Sequence, residues 1–197
     1  MGQTTGCQPV PLRWRTDDDP DSRPHPRRCP EGSRHALEAV AQRYGTTPNI
    51  YAQVAHAPAV INGLGALGQA IEEHSSLDPK ERETIALAVA AANHCDYCQA
   101  AHSMAGKAAG LTEEQTIEIR RGQVDDSKLD TLAKVAREAV ENTGTVGDAT
   151  WQAALDAGWS DTELADAFAA ITLNLATTYF THYAGTELDL PAAPPLG

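Results

Sequence analysis

Four residues near the middle of the chain have types and spacings suited to redox chemistry: Glu83, Cys95, Cys98 and His102. The stretch from Glu81 to Ala92 reads as a helix, with Asp78 as its cap and Pro79 at its first position. Asn93 and His94 interrupt the alanine run. A second helix then begins at Cys95 and runs to Gly110, which supplies the stop. Within it Cys95, Cys98 and His102 are three and four residues apart and so share one face. A thiol in the first turn of a helix feels the positive end of the macrodipole, which favours the thiolate. Two thiols one turn apart can also close a disulfide.

Glu83 joins this group under one geometry only. On a single uninterrupted helix it would lie roughly 18 Å from Cys95. If the chain folds back near Asn93 and His94, His102 comes level with about Ile85, within a turn of Glu83. A carboxylate beside an imidazole raises its basicity, and this imidazole stands one turn from Cys98. The expected relay runs from Glu83 through His102 to Cys98, with Cys95 as the second sulfur.

The spacing Glu-x11-Cys-x2-Cys-x3-His resembles the alkylhydroperoxidase D branch of the carboxymuconolactone decarboxylase-like superfamily. Three flanks resemble its peroxidase-related members: Thr47-Pro48-Asn49-Ile50-Tyr51, Asn93 through Cys98, and Ala184-Gly185-Thr186-Glu187-Leu188-Asp189. The likeness spans about residues 35 to 192. It implies an all-α, AhpD-like helical bundle, assembly into trimers or hexamers, and catalysis by Cys95, Cys98, His102 and Glu83. The better-known hydroperoxidases carry a histidine just before the second cysteine, where this chain has Tyr97.

Composition bounds the remaining choices. A chain of 197 residues suits one domain, and a net charge of −12 argues against nucleic acid and against anionic membrane surfaces. No apolar run approaches the length of a membrane span, and the N-terminus has no hydrophobic signal core. Four cysteines do not make a disulfide scaffold in a chain of this size, and one redox pair in a reducing cytoplasm fits better.

Residues 1–33 stand apart as a flexible extension, ahead of a helical domain over 34–192 and a tail over 193–197. Six of the twelve prolines fall in the extension, with the acidic run Asp17-Asp18-Asp19 and a cluster of arginines. Residues 1–34 hold six basic and five acidic residues. Taking these from the totals of 15 and 27 leaves 9 and 22, so the rest of the chain carries the negative charge. Cys7 and Cys29 are read as idle, exposed thiols, with pairing or metal binding as the alternatives. Docking of Trp14 on the domain is left open.

From Ser33 onward the periodicity is helical. Segments are expected over Ala36–Tyr44 and Ala59–His74, and after the site near Glu113–Arg121, Lys128–Glu141, Asp148–Ala157 and Thr162–Tyr183. Gly63, Gly65 and Gly68 are expected to admit another helix closely. A shift of 80 residues sets Glu83 on Glu163, His102 on His182, and the cysteines on Leu175 and Thr178. This reads either as two helical-hairpin repeats or as a chance match of amphipathic helices.

Among secondary candidates, Tyr97, His94, Asn174 and His182 are read as supporting residues. Asn174 and His182, eight apart, either reach the site cavity or are satisfied interior groups. Tyr179, Phe180 and Tyr183 are assigned to the core or to subunit contacts. Cys95, Cys98, His102 and His94 would make a Cys2His2 set, but no second knuckle exists to clip, so no metal is expected. No cofactor is expected either. The reaction implied is reduction of a small hydroperoxide through a Cys95/Cys98 disulfide, with a dithiol, thioredoxin or lipoyl-type reductant restoring the thiols. The alternatives are a carboxymuconolactone-type decarboxylase, whose members generally lack the cysteine pair, and a non-catalytic redox adaptor.

Overall fold

A computed structural model describes residues 29–196, and these form nine helices with no strand among them. They are α1 (Glu31–Tyr44), α2 (Asn49–Val54), α3 (Pro58–His74), α4 (Pro79–Ala92), α5 (Asp96–Ala108), α6 (Glu113–Arg121), α7 (Ser127–Glu141), α8 (Asp148–Asp156) and α9 (Asp161–Ala184). The all-α fold class is as expected. The features assigned to the extension, including Cys7, Trp14 and the Asp17–Asp19 run, lie outside the described residues.

Helix α4 is the axis of the bundle and packs against α5, α6, α7 and α9. Its sequence dictates that position. Asp78 and Glu81 form a reciprocal capping box around Pro79, so the start is fixed locally. Beyond it every residue from Thr84 to Ala91 is buried, because the run is small and apolar on all sides. Leu87, Val89, Ile119, Leu132 and Leu164 share the main core. Trp159 closes one end of it, donating its indole N–H to Lys128 O at 3.1 Å while the Lys128 ammonium sits over the ring.

The turn after α4 reverses the chain. Asn93 returns its side-chain amide to Val89 O at 2.9 Å, and His94 adopts a left-handed φ of 52°. Few non-glycine residues take that conformation, and here it lets Cys95 N–H still reach Ala90 O at 3.0 Å. Helix α5 therefore runs back along α4, the geometry on which the Glu83 relay depended.

Three local expectations are corrected. Helix α1 begins at Glu31, five residues earlier than its periodicity suggested. The six-residue helix α2 follows Thr47-Pro48, which reads as a turn, and with polar Asn49 and Gln53 it is too short to show a period. Of the α3 glycines, only Gly68 lies against a neighbour, Leu173, while Gly63 and Gly65 face open space. The close approach is provided elsewhere, by Gly106 in α5. A Cβ there would come within 2.9 Å of Leu111 Cδ1 and 3.7 Å of Glu83 Cβ.

Cys29 is buried, not exposed, and packs with Leu37, Val54, Ala55 and Ile61 in a second cluster that Phe180 also joins. Helix α9 is unbroken across Asp161–Ala184. The 80-residue shift thus sets the α4–α5 hairpin against one long helix, and both start with a capping box. After the left-handed Gly185 the chain continues as an irregular strap across the α2 end of the bundle.

Candidate active site

Cys95 occupies the N-cap of α5. Its backbone is extended, and its Sγ accepts the Cys98 N–H at 3.2 Å. An oxygen usually fills this role, and a thiolate in its place faces the same unpaired N–H groups and the positive helix end. Cys98 lies one turn in, with Cα atoms 5.3 Å apart, and the two are joined as a disulfide. Both are buried, at 1% and 6% exposure.

One turn beyond Cys98, His102 Nδ1 lies 2.9 Å from Glu83 Oε2 of α4. Both side chains keep about a quarter of their surface exposed, 26% and 23%, so the pair is half-buried and still open to a proton donor from solvent. It walls a cleft of about 150 Å³, which Gly68, Ile71, Arg82 and Asn174 also line. Neither cysteine lines this cleft. Asn174 returns its amide to Ala170 O at 2.9 Å, so it is both a lining residue and internally satisfied.

The remaining supporting residues go elsewhere. The exposed His182 donates its Nε2 proton to Asn93 O at 3.1 Å, tying α9 to the α4–α5 turn, and does not line the cleft. His94 is exposed, and its contribution is the left-handed turn before Cys95. Tyr97 is buried with Cys95, Cys98 and Ala90, its ring turned toward α2 and the strap. Its hydroxyl has no hydrogen bond of ordinary geometry. Burial, and then the nearby Asp189 carboxylate, hold that phenol well above the usual tyrosine range.

Sequence reasoning missed two features. Thr178 of α9, buried, donates its hydroxyl to Cys98 Sγ at 3.4 Å. The strap covers the sulfurs: Leu190 packs on the cysteine cluster beside Ile50, while Asn49 donates its N–H to Asp189 Oδ2 at 2.8 Å and its side-chain amide to Glu187 O at 2.9 Å. The three flanking motifs quoted for the resemblance therefore meet in space around the disulfide, which was the available signal for the second feature. For Thr178 no local pattern existed. Among the described residues no group of His, Cys, Asp and Glu is placed to hold a metal ion.

Residues 58–142 match the carboxymuconolactone decarboxylase family, a span that contains Glu83, both cysteines and His102. The match covers less than half of the chain, and over that span the chain is similar to this family. No curated protein matches the sequence. Among solved structures, the AhpD core of a peroxidase-related protein from Ralstonia eutropha JMP134 is 20% identical, with a TM-score of 0.76, over 92% of this chain and 94% of that one. A peroxidase-related protein from Silicibacter sp. TM1040 is 18% identical, with a TM-score of 0.73, over 100% of both chains. The debrominase Bmp8 is 13% identical, with a TM-score of 0.69, over 81% of this chain and 87% of its own. At these identities the likeness is one of fold. The α4–α5 hairpin is part of that shared fold, and the chemistry rests on the residues it carries here.

Proposed function

We propose that the chain is a thiol-dependent peroxidase of the disulfide-oxidoreductase type, acting through Cys95 and Cys98 with Glu83 and His102 as proton relay. The observation that carries this reading is the buried Cys95–Cys98 pair at the start of α5, one turn from an imidazole held by a carboxylate. In the reduced pair, the Cys98 thiolate attacks one peroxide oxygen. An S–O bond forms, the O–O bond breaks, and the departing alkoxide takes a proton to become alcohol. The Cys95 thiol then displaces hydroxide from the sulfenic acid, releasing water and closing the disulfide. A dithiol supplies two electrons and two protons to reopen it.

The test is consumption of an alkyl hydroperoxide with a dithiol donor. Turnover that disappears in Cys95→Ser and Cys98→Ser, with two thiols lost on mild peroxide treatment and restored by dithiol, supports the reading. Turnover unaffected by either substitution overturns it.

The fold likeness to a debrominase supports a second reading, in which the same thiolate takes halogen from an electron-rich ring. A brominated pyrrole offered with dithiol tests this, as release of bromide. Decarboxylation of a muconolactone would require no dithiol and separates that alternative. Assembly into trimers or hexamers would cover Phe168, Tyr179 and Tyr183, which project from one face of α9 and are 57% to 68% exposed. A concentration-independent monomer in light scattering overturns that part.

A further inference from the structure

Helical threonines usually return their hydroxyls to a carbonyl three or four residues back. Here Thr84 does so to Lys80 O, Thr177 to Leu173 O and Asn174 O, and Thr181 to Thr177 O. Thr178 departs from its neighbours on the same helix. Its hydroxyl, at 1% residue exposure, donates across to Cys98 Sγ at 3.4 Å.

We infer that Thr178 is a positioning residue that stabilises the Cys98 thiolate, an inference that rests on reading Cys95 and Cys98 as the redox pair. The sulfur of a disulfide is a weak acceptor, so this bond contributes little while the pair is oxidised. A thiolate is charged, and a hydroxyl already aimed at it makes a charge-assisted bond without reorganisation. The two sulfurs are served by different donors. Cys95 Sγ has the Cys98 backbone N–H, which no side-chain substitution removes, and Cys98 Sγ has Thr178.

The consequence appears on reduction. A thiolate of the donor attacks Cys95 Sγ and forms a mixed disulfide there. The bonding pair of the Cys95–Cys98 link passes to Cys98 Sγ, which leaves as thiolate under the Thr178 hydroxyl. The donor's second thiol then displaces Cys95, so that two electrons move from the donor to the pair. Lowering the leaving group's pKa speeds the first displacement. The same stabilisation makes the disulfide more oxidising, because it favours the reduced form.

The test follows alkylation of the Cys98 peptide against pH by mass spectrometry in Cys95→Ser, where a serine preserves the α5 cap. Thr178→Val, similar in shape but without the hydroxyl, should raise the apparent pKa of Cys98 by about one unit. Thr178→Ser, which keeps the hydroxyl, should leave it near the parent value. In the intact pair, Thr178→Val should shift equilibrium with dithiothreitol toward the disulfide by up to about tenfold, and Thr178→Ser should not. If Thr178→Val does not fold, Thr178→Ala removes the hydroxyl without a β-branch and is read the same way. Coincident curves for the hydroxyl-bearing and hydroxyl-free variants overturn the inference. A shifted Cys98 pKa in a protein that consumes no peroxide keeps the inference and overturns the peroxidase reading. Peroxide turnover with coincident curves does the reverse.

Discussion

His102 Nδ1 and Glu83 Oε2 meet at 2.9 Å although 19 residues separate them, because the left-handed His94 turns α5 back along α4. The carboxylate fixes the imidazole's orientation and leaves its other ring nitrogen available for proton exchange. This contact is the part of the proposed relay that mutation can address most directly.

Glu83→Gln keeps the shape and removes the charge. In a Cys95→Ser background it should raise the pH at which Cys98 becomes reactive, slowing alkylation at neutral pH by about tenfold for each unit of rise. His102→Ala should do at least as much, and should lower peroxide turnover by about a hundredfold. The two effects should not add, since both break one chain of proton transfer. A Cys98 curve unmoved by Glu83→Gln leaves Glu83 as a carboxylate that only orients His102.

Gly106 of α5 lies against α4 beside Glu83. Gly106→Val places new carbons against Leu111 and the Glu83 stem, where a Cβ alone would come within 2.9 Å and 3.7 Å. Overpacking of this kind costs about 2 kcal/mol, of which valine's better helix propensity than glycine's offsets only a few tenths. Urea unfolding should show that loss, with relay activity falling in parallel as the hairpin opens.

The Tyr97 hydroxyl is buried beside the Asp189 carboxylate without a hydrogen bond of ordinary geometry. Tyr97→Phe should therefore be neutral or stabilising, by up to about 1 kcal/mol, with peroxide turnover intact. A loss of more than that in denaturant unfolding would show that the phenol holds the strap down.

Acid sensitivity should be traceable to one link between α9 and the loop before α4. The Ser76 backbone N–H and hydroxyl both donate to Asp166 Oδ2 at 2.7 Å, and these bonds hold the Asp166 carboxyl below its ordinary range, the backbone bond most of all. A folded-state pKa below the unfolded one, which is about 3.9, means stability that is complete above that value and lost as pH falls through the folded one. Melting temperatures of wild type and Asp166→Asn should accordingly converge between pH 5 and about pH 3, measured by circular dichroism. A constant gap would mean that Ser76 does not discriminate the ionised form.

The hairpin, its caps and the Glu83–His102 meeting were legible because each depends on short-range spacing: Asp78-Pro79 starts α4, Asn93-His94 ends it, and one-turn intervals set the face of α5. Helix α2 was not legible, since six residues with polar Asn49 and Gln53 carry too little periodicity. The glycines misled for a related reason. Helix propensity marks Gly63, Gly65, Gly68 and Gly106 alike, and only tertiary packing distinguishes the one under pressure. Thr178 was reached by the 80-residue shift, which set it on Cys98, but that comparison assigned it no role. Its contact with the sulfur is made across the bundle, where no local rule operates. Asn174 was legible as a wall of the cleft, whereas His182 went instead to the Asn93 carbonyl.

Ile50 precedes the sulfurs in the chain, but the rest of their cover consists of residues made well after them. Thr178 is 80 residues downstream of Cys98, and Leu190 follows later still. During synthesis the roof over the Cys95-Asp96-Tyr97-Cys98 turn is incomplete until α9 has been made and docked. In that interval it is open to whatever oxidants and reductants surround the ribosome. The oxidation state in which the pair is first enclosed is therefore set by the compartment, and exchange afterwards requires the strap to yield.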